Sequence, residues 1–164
     1  MQRLINAVLL CIVLAAAAGA SAQVAPSVRA PPAFDAELAK RTGADTRGMR
    51  PYVVVVLKTG PTRVPDGDAR TAMFAGHFAN INRLSEAGKL VLAGPFTKDP
   101  DGWRGLYVFA VAEIEEARAL TATDPVIVNG EMVAEYHLWY GSAANMLIPE
   151  MHRKVTPPVA APNP

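Results

Sequence analysis

Cysteine is nearly missing from this chain: among 164 residues there is one, Cys11. Charge of one sign is missing too, with 16 Lys and Arg against 15 Asp and Glu. No apolar run is long, since the best one, Ala7 to Ala18, is shorter than the roughly 20 residues a bilayer crossing needs. That run follows Arg3 and ends at Ala20-Ser21-Ala22 before Gln23, the basic, apolar and small-residue order of a secretory signal peptide, so residues 1–22 are expected to be cleaved after Ala22. Cys11 lies inside the run behind Leu10 rather than behind the small residue of a lipoprotein site, which argues against lipidation. The mature chain then has no cysteine, which excludes disulfides and thiolate metal sites. Cleavage also takes away one basic residue and no acidic one, leaving a formal charge of zero and no basic surplus for nucleic acid or acidic lipid. The expected location is periplasmic or secreted, with no stable membrane insertion once the signal is gone.

What is present suits one small domain. Residues 23–50 read as a flexible leader, Ala- and Pro-rich at first, in which Phe34 and Leu38 lie four apart as a short helix would need. Gly43 and Gly48 break it. Tyr52 to Leu57 is a β-branched apolar run and reads as a buried strand. A helix follows, with Asp66 or Asp68 as its cap and Gly88 at its left-handed end. Lys89 to Phe96 and Trp103 to Val111 read as strands joined by a turn-forming run, Thr97-Lys98-Asp99-Pro100-Asp101-Gly102. Ala112 to Thr121 is a second helix and Glu131 to Tyr140 the last strand. Residues 142–164 hold a short helix capped by Ser142 and interrupted by Pro149, then a Pro-rich disordered tail.

The order from residue 51 to 141 is βαββαβ, the α+β ferredoxin-like unit: two helices on one face of a four-stranded antiparallel sheet. Two helices cover only that face, yet the strands are apolar on both. Trp103, Tyr107 and Phe109 alternate with Leu106, Val108 and Ala110, and Val53 through Leu57 is apolar throughout. A second cover is needed. A second copy of the chain, giving a homodimer, is the favoured cover; the leader or the C-terminal helix folding over is the alternative.

On a helical wheel His77 falls within the arc of Met73, Phe74, Phe78, Ile81 and Leu84 and should face the sheet. A desolvated imidazole must find a partner. A backbone carbonyl would serve, and so would Asp124, which ends the second helix in Ala122-Thr123-Asp124-Pro125 on the same face of the sheet. An Asp before Pro is also an ordinary turn residue. Glu135, His137 and Trp139 share one face of the last strand, where they line either a pocket or a dimer seam. His152 lies near the tail. Three scattered histidines have no zinc-ligand spacing, and phosphate-binding glycine loops, nucleophile-Ser motifs and nucleotide fingerprints are not found.

Gly76-His77-Phe78-Ala79-Asn80-Ile81, Gly88-Lys89-Leu90-Val91-Leu92-Ala93-Gly94-Pro95-Phe96, and Asp124-Pro125 followed by Gly130 together resemble the YciI-like (YCII-related) family over roughly residues 51 to 141. The resemblance implies a dimeric ferredoxin-like α/β barrel with a His-Asp site, here His77 and Asp124. The family includes a dehydrochlorinase acting on a chlorinated hydroquinone, which points to small cyclic or aromatic substrates. It often places an arginine one turn before the histidine; Met73 and Phe74 stand there, and Arg70 on the same helix face is the candidate substitute. Two functions fit. In one, His77 is a general acid/base oriented by Asp124, no cofactor is needed, and Arg70, Trp103, Tyr107, Phe109 and His137 bind the substrate. In the other, the protein is a non-catalytic exported ligand-binding or interaction protein and the pair locks helix to helix.

Overall fold

The computed structural model describes residues 32–158, so the signal-peptide expectation for residues 1–22, the first part of the expected leader (residues 23–31) and the last six residues of the tail lie outside it. The order of elements is α1 (Ala36–Thr42), β1 (Met49–Thr59), α2 (Asp68–Glu86), β2 (Leu90–Pro95), β3 (Trp103–Phe109), α3 (Ile114–Thr121), α4 (Pro125–Val128), β4 (Met132–Ser142), a 3-10 turn (Ala143–Leu147) and α5 (Ile148–Val155). The strands form one antiparallel sheet in the order β2-β3-β1-β4. This is the α+β ferredoxin-like arrangement, with β1 and β3 central because each is apolar enough to be flanked on both sides. Among the described residues no helix is long and apolar enough to cross a membrane.

Local chemistry explains most boundaries. Asp35 caps α1 by accepting from the Leu38 N–H, and Gly43 closes it with φ of 69°. The hairpin between β2 and β3 is held by the Asp99 carboxylate, which accepts from the N–H groups of Asp101 and Trp103. Gly88, at φ 67°, ends α2 as its sequence position implies. The start of α2 differs from expectation. Gly67 occupies the cap position without a side-chain bond, Asp68 is the first helical residue, and the Asp66 carboxylate is drawn to Arg63 instead. Pro149 also differs: it sits in the first turn of α5, where its missing N–H costs nothing, and so starts that helix rather than interrupting one. Ser142 caps the preceding 3-10 turn through the Ala144 N–H.

Strand residues paired across the sheet share a face. Val53, Val55 and Leu57 of β1, with Tyr107 and Phe109 of β3, point toward the helices and pack with Met73, Leu84, Ala117 and Val126 in the main core. The opposite face carries Tyr52, Val54, Leu106 and Val108. Met146 of the 3-10 turn packs there, so the C-terminal segment covers one part of this face. Leu92, Trp103, Val133 and Trp139 stay substantially exposed.

One irregularity in the sheet changes the reading of β3. Gly105 pairs with Leu57 but Trp103 pairs with Lys58, so Arg104 is an extra residue in a β-bulge. Leu57 and Lys58 point to opposite faces. Trp103 therefore lies on the face away from the helices, not in line with Tyr107 and Phe109 as simple alternation predicts.

Candidate functional site

His77 sits midway along α2 and is 8% exposed; Asp124, at the N-terminus of α4, is fully buried. They are 47 residues apart in sequence, and the imidazole Nδ1 lies 2.9 Å from each carboxylate oxygen. The carboxylate has two further donors. The Tyr107 hydroxyl gives a 2.7 Å bond to Oδ2, and the Val126 N–H gives a 3.1 Å bond to Oδ1. A fully buried carboxylate needs this many partners, and the N-cap role of Asp124 supplies one of them from the backbone. Burial, and then the hydrogen bond and charge of Asp124, push the Tyr107 phenol far above its ordinary pKa. It stays protonated and donates.

Close approach of two helices makes this pairing possible. A Cβ on Gly76 would stand 3.0 Å from the Pro125 ring, so the glycine beside His77 lets α4 come in against α2. A second polar link secures the same corner: the Thr123 hydroxyl donates to Asn80 Oδ1 at 3.0 Å, and Arg83 donates to both residues. Asn80 is buried there, whereas Phe78, read from the helical wheel as core, is 60% exposed.

Because Nδ1–H is held by the carboxylate, the neutral imidazole presents a bare Nε2, the arrangement that makes histidine a base. His77 lines a cavity of about 440 Å³ whose apolar walls include Leu57, Phe74, Phe78, Ile81, Phe96 and Met132, with Tyr107 and Arg104 as its further polar side chains. The Gly94-Pro95-Phe96 run forms part of this wall. The lining holds no serine, threonine or cysteine, so a proton-transfer role fits it and a covalent hydroxyl or thiol role does not. Among the described residues no group of His, Cys, Asp and Glu is placed to hold a metal ion.

The remaining residues singled out from sequence are dispersed. Arg70 does not line the cavity. Its guanidinium is 2.7 Å from Glu131 and 2.9 Å from the Val64 carbonyl, and it lies over the Phe74 ring. Phe109 is fully buried behind Tyr107, edge to face with it. Trp103 is on the far face through the bulge. His137 is also on the far face, half-exposed, with Nε2 3.0 Å from Glu135. Sequence alternation missed Arg104 and Glu131. Glu131 accepts from Arg70 and from the Val64 N–H, and chiefly Arg70 lowers its pKa to about 2.

Residues 51–140 match the family model described as the YCII-related domain. The chain is also similar to a solved structure, the 5-chloro-2-hydroxyhydroquinone dehydrochlorinase TftG from Burkholderia phenoliruptrix AC1100 in complex with 2,5-dihydroxybenzoquinone. The identity is 19%, the match covers 54% of this chain and 92% of that one, and the TM-score is 0.41. No curated protein matches the chain in sequence.

Proposed function

The chain belongs to the YCII-related domain family, and from that footing we propose that it is an exported enzyme that moves a proton on a small cyclic or aromatic molecule. His77 Nε2 takes or gives the proton. Asp124 fixes the tautomer and stabilises the imidazolium that forms, and the Tyr107 hydroxyl holds the carboxylate in place. One observation carries this reading: an imidazole tied at Nδ1 to a fully buried carboxylate borders an apolar cavity of about 440 Å³. The residues invoked need no cofactor for such a step. A second copy of the chain, packed on the open face of the sheet, belongs to the same proposal.

Exchange of solvent deuterium into a panel of enolisable cyclic ketones and hydroxylated aromatics, followed by proton NMR, tests it. At least one compound should exchange, and His77→Ala and Asp124→Asn should each slow that exchange by about 10²–10⁴-fold. Exchange at full rate in either variant removes the proposal.

One observation favours the non-catalytic reading. The cluster ties α2, β3 and the start of α4 together and so also braces the fold. On that reading His77→Ala lowers the melting temperature and no compound in the panel exchanges.

A further inference from the structure

We infer that the molecule taken into this cavity is a ring-sized organic anion, a carboxylate or a phenolate, and that Arg104 is the residue that selects it. The inference rests on the reading of the His77 cavity as a ligand site and names the class of ligand.

Arg104 owes its position to the bulge. As the extra residue between Trp103 and Gly105 it escapes the alternation of β3 and lines the cavity on the helix side of the sheet. Its guanidinium makes no side-chain hydrogen bond among the described residues, and its nearest carboxylate oxygen, on Glu131, is 3.9 Å away. Glu131 is already engaged by Arg70 at 2.7 Å and by the Val64 N–H at 2.8 Å. Arg70 also meets the exposed Asp66 at 3.4 Å, but that carboxylate is held at 2.8 Å by Arg63, so three guanidinium groups share two carboxylates and Arg104, the most distant from either, keeps unused donors. The other carboxylate near the cavity, Asp124, lies behind His77 on its Nδ1 side and is fully buried.

The side chain of Arg104 is 32% exposed beside walls of Leu57, Phe74, Phe96 and Met132. Apolar walls strengthen the attraction of a guanidinium for an anion, and its planar donors suit two oxygens at once. The cavity volume falls in the range of roughly 300–1,000 Å³ common to small-molecule sites. A ligand with an apolar ring and one anionic group satisfies both kinds of wall, placing the ring against the phenylalanines and bringing a ring proton or hydroxyl toward His77.

Calorimetric titration of the full chain with benzoate, with its neutral isostere benzamide, and with 4-nitrophenolate against 4-nitroanisole tests this. An anion should bind about tenfold or more tightly than its neutral counterpart. Benzoate alone showing the preference identifies a carboxylate ligand, and 4-nitrophenolate alone a phenolate. Arg104→Gln should erase the preference while melting close to the wild type, and Arg104→Lys should keep part of it. Equal binding of charged and neutral probes, no binding of either anion, or an undiminished preference in Arg104→Gln overturns the inference. Deuterium exchange that persists without an anion preference sinks only the inference; an Arg104-dependent preference without His77-dependent exchange sinks only the catalytic reading.

Discussion

At the scale of single residues the fold concentrates its polar cost in two buried carboxylates, each surrounded by donors. Asp124 takes bonds from His77, Tyr107 and Val126, so Asp124→Ala would strand all three at once. That change should cost about 3–5 kcal/mol, the usual penalty for removing one partner of a buried pair. Tyr107→Phe removes the bond to the carboxylate and a longer, 3.3 Å contact with His77 Nδ1 but leaves the carboxylate its other donors, and should cost about 1.5–3 kcal/mol. Urea denaturation of the two variants checks the ranking. Glu131 gives a pH signature. Its pKa is lowered from 4.5 to about 2 in the folded chain, chiefly by Arg70, so the carboxylate contributes stability that is fully present above pH 4.5 and is lost as pH falls toward 2. Urea midpoints measured across that window should fall with acidification, and Glu131→Gln should show a shallower fall.

Among the elements, α2 and the α3–α4 corner decide the site. Gly76 in mid-α2 would ordinarily be a weak point, and a change to alanine in an exposed helix gains about 1 kcal/mol. Here a Cβ meets the Pro125 ring at 3.0 Å, so the ring must yield by a few tenths of an ångström and carry Asp124 with it. Gly76→Ala is expected to show no rise in melting temperature and a shifted His77 imidazole resonance; a gain near the full propensity value with an unchanged resonance would count against this account. The same elements show where sequence reading reaches its limit. The strands, α2 and α3 were legible because apolar period and turn residues are local. The four-residue helix α4 was not, because Asp124-Pro125 is equally a turn; nor was the swap on α2, where Phe78 borders the open cavity and Asn80 is buried against Thr123 and Arg83.

For the whole molecule the second face of the sheet governs assembly. The 3-10 turn and α5 cover one part, so the alternative cover weighed from sequence is present in part. Leu92, Trp139 and Val133 remain exposed beside Val54 and Leu106, an apolar surface of the kind that marks a protein contact, and the proposed second copy of the chain would cover it. Sedimentation equilibrium should give twice the chain mass. Leu92→Asp, which puts a charge on that face away from the His77 cavity, should give a single-chain mass at the same protein concentration.

By itself the sequence determined the βαββαβ order of the four strands with α2 and α3, the absence of disulfides from the described domain, and the two residues, His77 and Asp124, whose chemistry is unusual for their places. These follow from patterns within a few residues of one another. Only the tertiary structure decided that the two meet at 2.9 Å, that Arg70 is spent on Glu131, and that a bulge carries Arg104 to the cavity and Trp103 away from it. The reason is physical. A strand's alternation is set locally, but where one residue is added to it depends on how its neighbour in the sheet is paired, and that neighbour lies about fifty residues away in the chain.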